Sequence, residues 1–286
     1  MTCETGWVHV TKHEGAGNDF LVVLDPDDAL RLSGDQIRLL CNRRRGVGAD
    51  GLIRIGPGRD GAAVSMYLVN ADGSTAEMSG NGIRCLAQAA VDAGLVSPPT
   101  FLVWTAGGVR TVAFVAGEEP GWGRASVDMG AATLGEEPGA ESGSVAIDVE
   151  GRRARHVSVG NPHLVLLGSG VAAVDIAESG PKLQAHYPEG INVEWIELAK
   201  DADGEFIALR VWERGAGETL ACGTGSVAAA AAARDWGVID GSDPVRVHNP
   251  GGMLEVTLGA SAGDPAVLAG PVRKIADIDI HPGMLS

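Results

Sequence analysis

Two side chains, Cys222 and Ser79, stand in surroundings suited to proton transfer. Each directly precedes Gly-x-Gly and an apolar run, Ser79-Gly80-Asn81-Gly82 in one case and Cys222-Gly223-Thr224-Gly225 in the other. The interval from Asn18, in a Gly-Asn turn, to Ser79 equals that from Asn161, in another, to Cys222. Likewise Asn70 precedes Ser79 by the same interval that separates Glu213 from Cys222. The layout therefore occurs twice, with one key position changed between the copies. Two half-sites of this kind suit a reaction in which two groups act on opposite faces of one carbon.

The Gly-x-Gly context predicts that both side chains lie at helix starts. Helix N-termini carry N–H groups without intrahelical partners and a partial positive charge, so both offer anion sites that a substrate carboxylate could occupy. The same field favours a thiolate, so the Cys222 thiol is expected below its ordinary value of about 8.5, as a usable base near neutrality. The alternative is a small buried cysteine of no chemical consequence. Serine is a preferred N-cap, so Ser79 has a structural reading as well, and a hydroxyl is a poor base without an activating partner. Asn18, Asn70, Asn161 and Asn192 lie in or near turns, and with Glu213 and Arg214 could hold the remaining ammonium and carboxylate of a substrate. His163 reads equally as a core imidazole or as a group that tunes a neighbouring thiol.

No GxxxxGK[ST] or strand-GxGxxG-helix signature is present, His13-Glu14 lacks the second His of a zinc motif, and the cysteines are not spaced as metal ligands. The lysines Lys12, Lys182, Lys200 and Lys274 lie outside the repeated motifs, against a pyridoxal phosphate Schiff base. A reaction with no cofactor and no metal is left. A formal net charge of −15 argues against nucleic acid and anionic membranes as partners. Residues 1–10 lack the pattern of a signal peptide, and the longest apolar stretch, 227–233, is too short to span a bilayer. The four cysteines, Cys3, Cys41, Cys85 and Cys222, are too sparse for a disulfide scaffold, so a reduced, cytoplasmic enzyme is expected.

These groups must be positioned by the elements around them. Short apolar or alternating runs predict strands at 7–10, 21–24, 63–69, 100–105, 109–115, 125–128, 144–149, 164–167, 192–197, 207–213, 245–248 and 253–258. Helices are expected at 33–41, with Ser33 as N-cap, and near 81–93 and 224–236. The last is so rich in alanine that strands must surround it closely. The expected fold is α+β, with two pseudo-symmetric halves, each a curled, mostly antiparallel β-sheet around a central α-helix. Residues 1–120 and 270–286 would form the half with Ser79, and 121–269 the half with Cys222. The Gly-rich segment 117–123 reads as the crossover between them, and 136–143 as a polar loop.

Taken in order, Gly15-Ala16-Gly17-Asn18-Asp19-Phe20, Asn70-Ala71-Asp72-Gly73-Ser74, Ser79-Gly80-Asn81-Gly82-Ile83-Arg84-Cys85, Gly160-Asn161-Pro162-His163, Ile191-Asn192-Val193 and Glu213-Arg214-Gly215-Ala216-Gly217-Glu218-Thr219 through Cys222-Gly223-Thr224-Gly225 resemble the diaminopimelate epimerase family over essentially the whole chain. The resemblance implies a homodimer of two-halved subunits with the site in the cleft between halves. It also implies a cofactor-independent step of lysine and peptidoglycan-precursor biosynthesis, interconversion of LL- and meso-2,6-diaminopimelate. In that family one cysteine removes the α-proton as thiolate and another delivers one from the opposite face. Cys222 matches one of these, and Ser79 stands at the other. Gly80, Asn81, Gly223 and Thr224 match the α-carboxylate cradle. Asn18, Asn70, Asn161, Asn192, Glu213 and Arg214 match the residues that bind the rest of the substrate. His163 and Glu213 match residues that adjust the cysteine pKa values. Gly51 replaces the Gln of many relatives, and Cys85 matches a non-catalytic cysteine.

Serine at 79 implies reduced epimerisation, whether as an engineered change, a natural variant or a mark of different chemistry. Relatives in the proline racemase family with a hydroxyl residue at one catalytic position are dehydratases. Two other readings remain open: a racemase or dehydratase of another amino acid on the same fold, and a catalytically silent amino-acid-binding relative.

Overall fold

A computed structural model describes residues 7–135, 137, 149, 151–239, 244–261 and 263–285. In chain order the elements are β1 (Val8–Gly15), β2 (Asn18–Leu24), α1 (Gly34–Cys41), β3 (Gly51–Pro57), β4 (Val64–Asn70), β5 (Thr75–Ala76), α2 (Gly80–Asp92), β6 (Thr100–Thr105), β7 (Gly108–Ala116), β8 (Trp122–Ala131) and β9 (Thr133–Leu134). They continue as β10 (Arg153–Ser158), β11 (Pro162–Leu167), α3 (Ile176–Gln184), β12 (Asn192–Asp201), β13 (Gly204–Glu213), β14 (Gly217–Thr219), α4 (Gly223–Asp235), β15 (Val245–Asn249), β16 (Gly252–Thr257) and β17 (Pro265–Ile280). The predicted strand at 144–149, apart from Val149, the loop at 136–143, apart from Glu137, and Cys3 lie outside the described residues.

The chain divides into two compact units, Met1–Val127 with Gly270–Ser286, and Asp128–Ala269. In the first, β1 pairs antiparallel with β2, β2 parallel with β3, β3 antiparallel with β4, β4 parallel with β6, and β6, β7 and β8 follow antiparallel. β17 pairs with β8 and, antiparallel, with β1, which closes the sheet into a barrel. α2 is its core: every residue from Gly80 to Ala90 is buried, and the helix packs against β1, β2, β3, β4 and β7. α1 covers the other face, with Ile37, Leu40 and Cys41 packed on Val10, Leu21 and Val23.

The second unit repeats the order. β9, β10 and β11 run antiparallel, β11 and β12 parallel, β12 and β13 antiparallel, β13 and β15 parallel, and β15, β16 and β17 antiparallel. α4 packs against β10, β11, β12, β13, β15 and β16, and α3 lies on the other face over Leu164, Leu166, Val193 and Trp195. Val227 to Ala233 are buried on every side of α4. A helix with its whole circumference among strands needs side chains no larger than these, and alanine also has the highest helix propensity. Both central helices stop the same way, at glycines in the left-handed region, Gly94 (φ 68°) and Gly237 (φ 67°), which release the chain from the last turn.

The α+β class and the mostly antiparallel sheets agree with the sequence reading, and α1, α2 and α4 lie within a residue of the predicted spans. Three of the longer strands and one helix were not anticipated. β3 carries Gly51, Gly56 and Pro57, which read as turn residues, and β10 alternates with Arg and His rather than apolar residues. β17 mixes Pro, Gly and charged residues along its length, and α3 contains Gly180 and Pro181. In each case contacts in the fold outweigh local propensity. The segment 117–123 is not a crossover: Gly117 N–H donates to the Trp122 carbonyl, making a tight hairpin turn between β7 and β8 within the first unit. The chain leaves that unit inside β8, after Val127, and returns inside β17, at Gly270.

Candidate active site

Each motif forms a half-site at the start of a central helix. Ser79 is the N-cap of α2, and its Oγ accepts the Gly82 N–H at 3.1 Å. Cys222 is the N-cap of α4, and its Sγ accepts the Gly225 N–H at 3.4 Å. The third residue after each cap is a closely packed glycine: an added Cβ would lie 3.1 Å from Ile53 and Met66 and 3.2 Å from the Ser79 Cβ at Gly82, and 2.8 Å from Glu194 Oε1 and 3.2 Å from the Cys222 Cβ at Gly225.

Around Ser79, Asn18 begins β2 after a turn with Ala16 (φ 56°) and Gly17 (φ 79°). Its side-chain amide donates to Asp50 Oδ2 at 2.6 Å, and its Oδ1 accepts from Asn81 at 3.4 Å. Asp50 is itself held by Arg43, which also pairs with Asp19. Arg84, fully buried, donates to the Gly80 carbonyl and Asn81 Oδ1 and so braces the first turn of α2 from inside. Asn70 ends β4 and donates to Ser74 Oγ at 3.1 Å. At Gly51 an added Cβ would lie 2.8 Å from the Val69 carbonyl, so this backbone leaves little room for a side chain.

Around Cys222, Asn192 accepts the Arg214 N–H on Oδ1 and donates to the Pro162 carbonyl, joining the ends of β11, β12 and β13. The Arg214 guanidinium is exposed and donates to the Glu189 carbonyl. Glu213 accepts from Thr219 Oγ1, and its carboxylate is near enough to Cys222 to act on the thiol. Thr224 Oγ1 lies 3.5 Å from Cys222 Sγ and accepts from Asn161 at 3.4 Å. Asn161 Oδ1 is 3.0 Å from His163 Nε2, and His163 Nδ1 is 2.6 Å from Glu194 Oε1. Behind the cap, Asn249 Oδ1 accepts the Cys222 N–H and its amide donates to Ser226 Oγ, which donates back to the Cys222 carbonyl.

The electrostatics overturn one expectation. The thiol of Cys222 is pushed well above its ordinary value, not below it. Burial is the largest cause, the carboxylates of Glu213 and Glu194 add to it, and the Thr224 hydroxyl and Gly225 N–H oppose it. Desolvation and two nearby carboxylates outweigh the field of one helix end. Burial likewise raises the Glu213 carboxyl, opposed by the Thr219 hydroxyl and the Cys222 thiol. Cys222 thus rests as a thiol beside a carboxylate whose proton affinity is raised, and Glu213 is the nearby group that could take its proton. Cys85 is buried inside α2 with its thiol pushed up to about 12, in keeping with an inert cysteine.

Each predicted residue therefore falls in one of two clusters: Asn18, Asn70, Ser79, Gly80 and Asn81 in the first unit, and Asn161, His163, Asn192, Glu213, Arg214, Cys222, Gly223 and Thr224 in the second. The sequence reading missed Glu194, Asn249, Ser226, Thr219, Asp50 and Arg84. Two left a signal: Glu194 interrupts the apolar run Val193-Glu194-Trp195-Ile196, and Arg84 interrupts the apolar face of α2. Among the described residues no group of three or more His, Cys, Asp or Glu is placed to hold a metal ion, and no helix is long and apolar enough to cross a membrane.

Solved structures with this fold include a phenazine biosynthesis protein of the PhzF family from Bacillus anthracis (TM-score 0.71, 16% identity, 96% of this chain and 99% of that one). They also include a predicted epimerase from Pseudomonas aeruginosa (TM-score 0.68, 20% identity, 96% and 99%). At such identities the likeness defines the fold class alone: the two-unit α+β architecture these proteins share. Sequence goes further. The family profile described as diaminopimelate epimerase matches residues 10–135 and 155–275. Curated diaminopimelate epimerases from Acidovorax ebreus and Corynebacterium glutamicum are 35% and 38% identical, over 96% and 93% of this chain and 98% and 95% of theirs. The chain belongs to the diaminopimelate epimerase family.

Proposed function

We propose that the protein interconverts LL- and meso-2,6-diaminopimelate without a cofactor, slowly, because Ser79 replaces one of two acid–base groups. Cys222 at the N-cap of α4, with the Glu213 carboxylate acting on it, is the observation that carries this reading. In the proposed step the thiol passes its proton to Glu213, and the thiolate takes the α-proton. Negative charge then delocalises into the α-carboxylate, which N–H donors at the helix starts stabilise. Reprotonation from the other face falls to position 79. Nothing comparable activates Ser79: in the first copy of the repeat, Asn70 and Ala76 occupy the positions equivalent to Glu213 and Thr219, and neither is a base. Asn18, Asn70, Asn161, Asn192, Glu213 and Arg214 would hold the distal end of the substrate, Gly80, Asn81, Gly223 and Thr224 its α-carboxylate, with His163 and Glu213 setting the thiol.

The test is α-proton exchange in D2O, followed by NMR for LL- and meso-diaminopimelate separately, with this protein and its Ser79→Cys variant. Interconversion by the variant, with slow exchange by the parent from mainly one isomer, supports the reading. Exchange of neither isomer by either protein overturns the substrate assignment. The second reading, a racemase or dehydratase of another amino acid, draws on Ser79 and on the lack of a side chain at Gly51, and activity on an amino acid without a distal amine and carboxylate would favour it. A homodimer in the cytoplasm, without nucleic-acid partners, accompanies the main reading, supported by the family and by the net charge of −15.

A further inference from the structure

His163 and Glu194 form a fully buried ion-pairing couple, with both side chains at 0% exposure and Nδ1 2.6 Å from Oε1. The second carboxylate oxygen, Oε2, has no hydrogen-bond partner among the described residues. Burying such a pair is rarely more stabilising than filling the space with apolar groups. The first unit shows the apolar solution: its equivalent positions hold Phe20 and Ile53, Ile53 pairing with Leu68 as Glu194 pairs with Val211 and standing against Gly82 as Glu194 stands against Gly225. The fold therefore does not require the pair, and its purpose lies in what it touches.

It touches Cys222 through a chain of hydrogen bonds with one direction. Asn161 Oδ1 can only accept, so at 3.0 Å the Nε2 of His163 carries a proton. The short Nδ1–Oε1 contact then holds a second proton, shared between imidazole and carboxyl. Asn161 Nδ2 donates to Thr224 Oγ1, and once the sulfur 3.5 Å away is a thiolate, which can only accept, the Thr224 hydroxyl donates to it. Every link points toward the sulfur. Glu194 Oε1 also lies 2.8 Å from where a Cβ would stand on Gly225, the residue whose N–H donates to the same sulfur.

We propose that Glu194 is a positioning residue for Cys222: through His163, Asn161 and Thr224 it sets the direction of a hydrogen-bond chain ending on Sγ and strengthens that chain as the thiolate forms. When the sulfur gains negative charge, the shared proton moves from Oε1 to Nδ1, and the imidazolium makes each donor along the chain stronger. No proton leaves the couple. The charged and titratable groups around the sulfur among the described residues are Glu213 on β13, Glu194 on β12 and His163 on β11; the Glu194 charge taken alone raises the thiol, but with the proton it shares with His163 the couple is neutral overall, so its action on the sulfur passes through the hydrogen-bond chain. The inference takes from the proposed function only that Cys222 is the reacting group.

The test needs no substrate. Alkylation of Cys222 by iodoacetamide, resolved by peptide mass spectrometry as a function of pH, reads the thiolate population, and Cys41 and Cys85 in the same samples report any loosening of the fold. Glu194→Gln fills the same space and can donate to Nδ1, which keeps the Nε2–H tautomer but removes the shared proton. The expected result is a Cys222 rate profile displaced upward by about one pH unit, roughly tenfold slower at a given pH, with Cys41 and Cys85 unchanged. Thr224→Val cuts the last link and gives a similar displacement, and the double variant gives no more than either alone. A Glu194→Gln profile that coincides with the parent's, or one displaced downward as for removal of a bare anion, overturns the proposal. Loss of diaminopimelate exchange in all proteins with the displacement intact would instead discard the substrate assignment.

Discussion

Burial and the carboxylates around it keep Cys222 protonated at rest, so in the proposed reaction its basicity has to be produced within the site. Glu213 is the group able to take the thiol proton, its own affinity for a proton being raised by the same burial. Cys222→Ala is expected to abolish α-proton exchange, and Glu213→Gln to slow it by about two to three orders of magnitude, as for loss of one acid–base group, both measured by NMR in D2O. The pH dependence follows from the direction of the shift. The proton passes within the site from a thiol that stays protonated to a Glu213 that must be ionised, so exchange per unit of bound substrate should rise as Glu213 ionises, above the ordinary carboxylate range, and stay level through about pH 9. A further rise with a midpoint near about pH 8.5 would show that Cys222 titrates as an exposed cysteine does.

α2 and α4 convert sequence motifs into half-sites, and their glycines set how closely the caps approach. Gly225→Ala places a Cβ 2.8 Å from Glu194 Oε1, while Gly82→Ala meets the movable tips of Ile53 and Met66 at 3.1 Å. Overpacking of this kind costs about 1–3 kcal/mol, so both variants should fold with lowered Tm. Exchange should fall much further for Gly225→Ala, because the side chain displaced there is Glu194, which lies beside Cys222, the base of the proposed reaction. α2 also carries Cys85, whose thiol is pushed up to about 12, against about 8.5 unfolded. Between those values the folded chain holds a proton that the unfolded chain has lost. The stability this thiol contributes is therefore complete below about pH 8.5 and is lost as the pH rises toward 12. Melting temperatures measured across that window should fall less steeply for Cys85→Ala than for the parent.

At the scale of the whole chain, the duplication was legible from spacing alone, since Asn18, Asn70 and Ser79 recur as Asn161, Glu213 and Cys222. The helices were legible from Ser33 and from the small-residue runs behind Gly-x-Gly. β3, β17 and α3 were not, because their glycines and prolines are tolerated only through contacts distant in sequence. The raised thiol of Cys222 was hidden for the same reason. The helix field is a local property, but the burial that outweighs it depends on β11 and β12, strands far earlier in the chain that carry His163 and Glu194. The homodimer proposal belongs to this scale too, and light scattering should return about twice the chain mass of 29.3 kDa.

The two units also differ in how the chain supplies them. Asp128–Ala269 is one continuous stretch, whereas the barrel of the first unit is closed by β17, where Val8 pairs with Ile280. On the ribosome, residues 7–127 must therefore wait with an open sheet edge while the second unit is made and is free to fold, until Gly270 to Ile280 emerge. Exposed edges of that kind invite aggregation. The barrel around Ser79 is thus closed only after Asp128–Ala269 has been made, and its closure is exposed to interrupted synthesis.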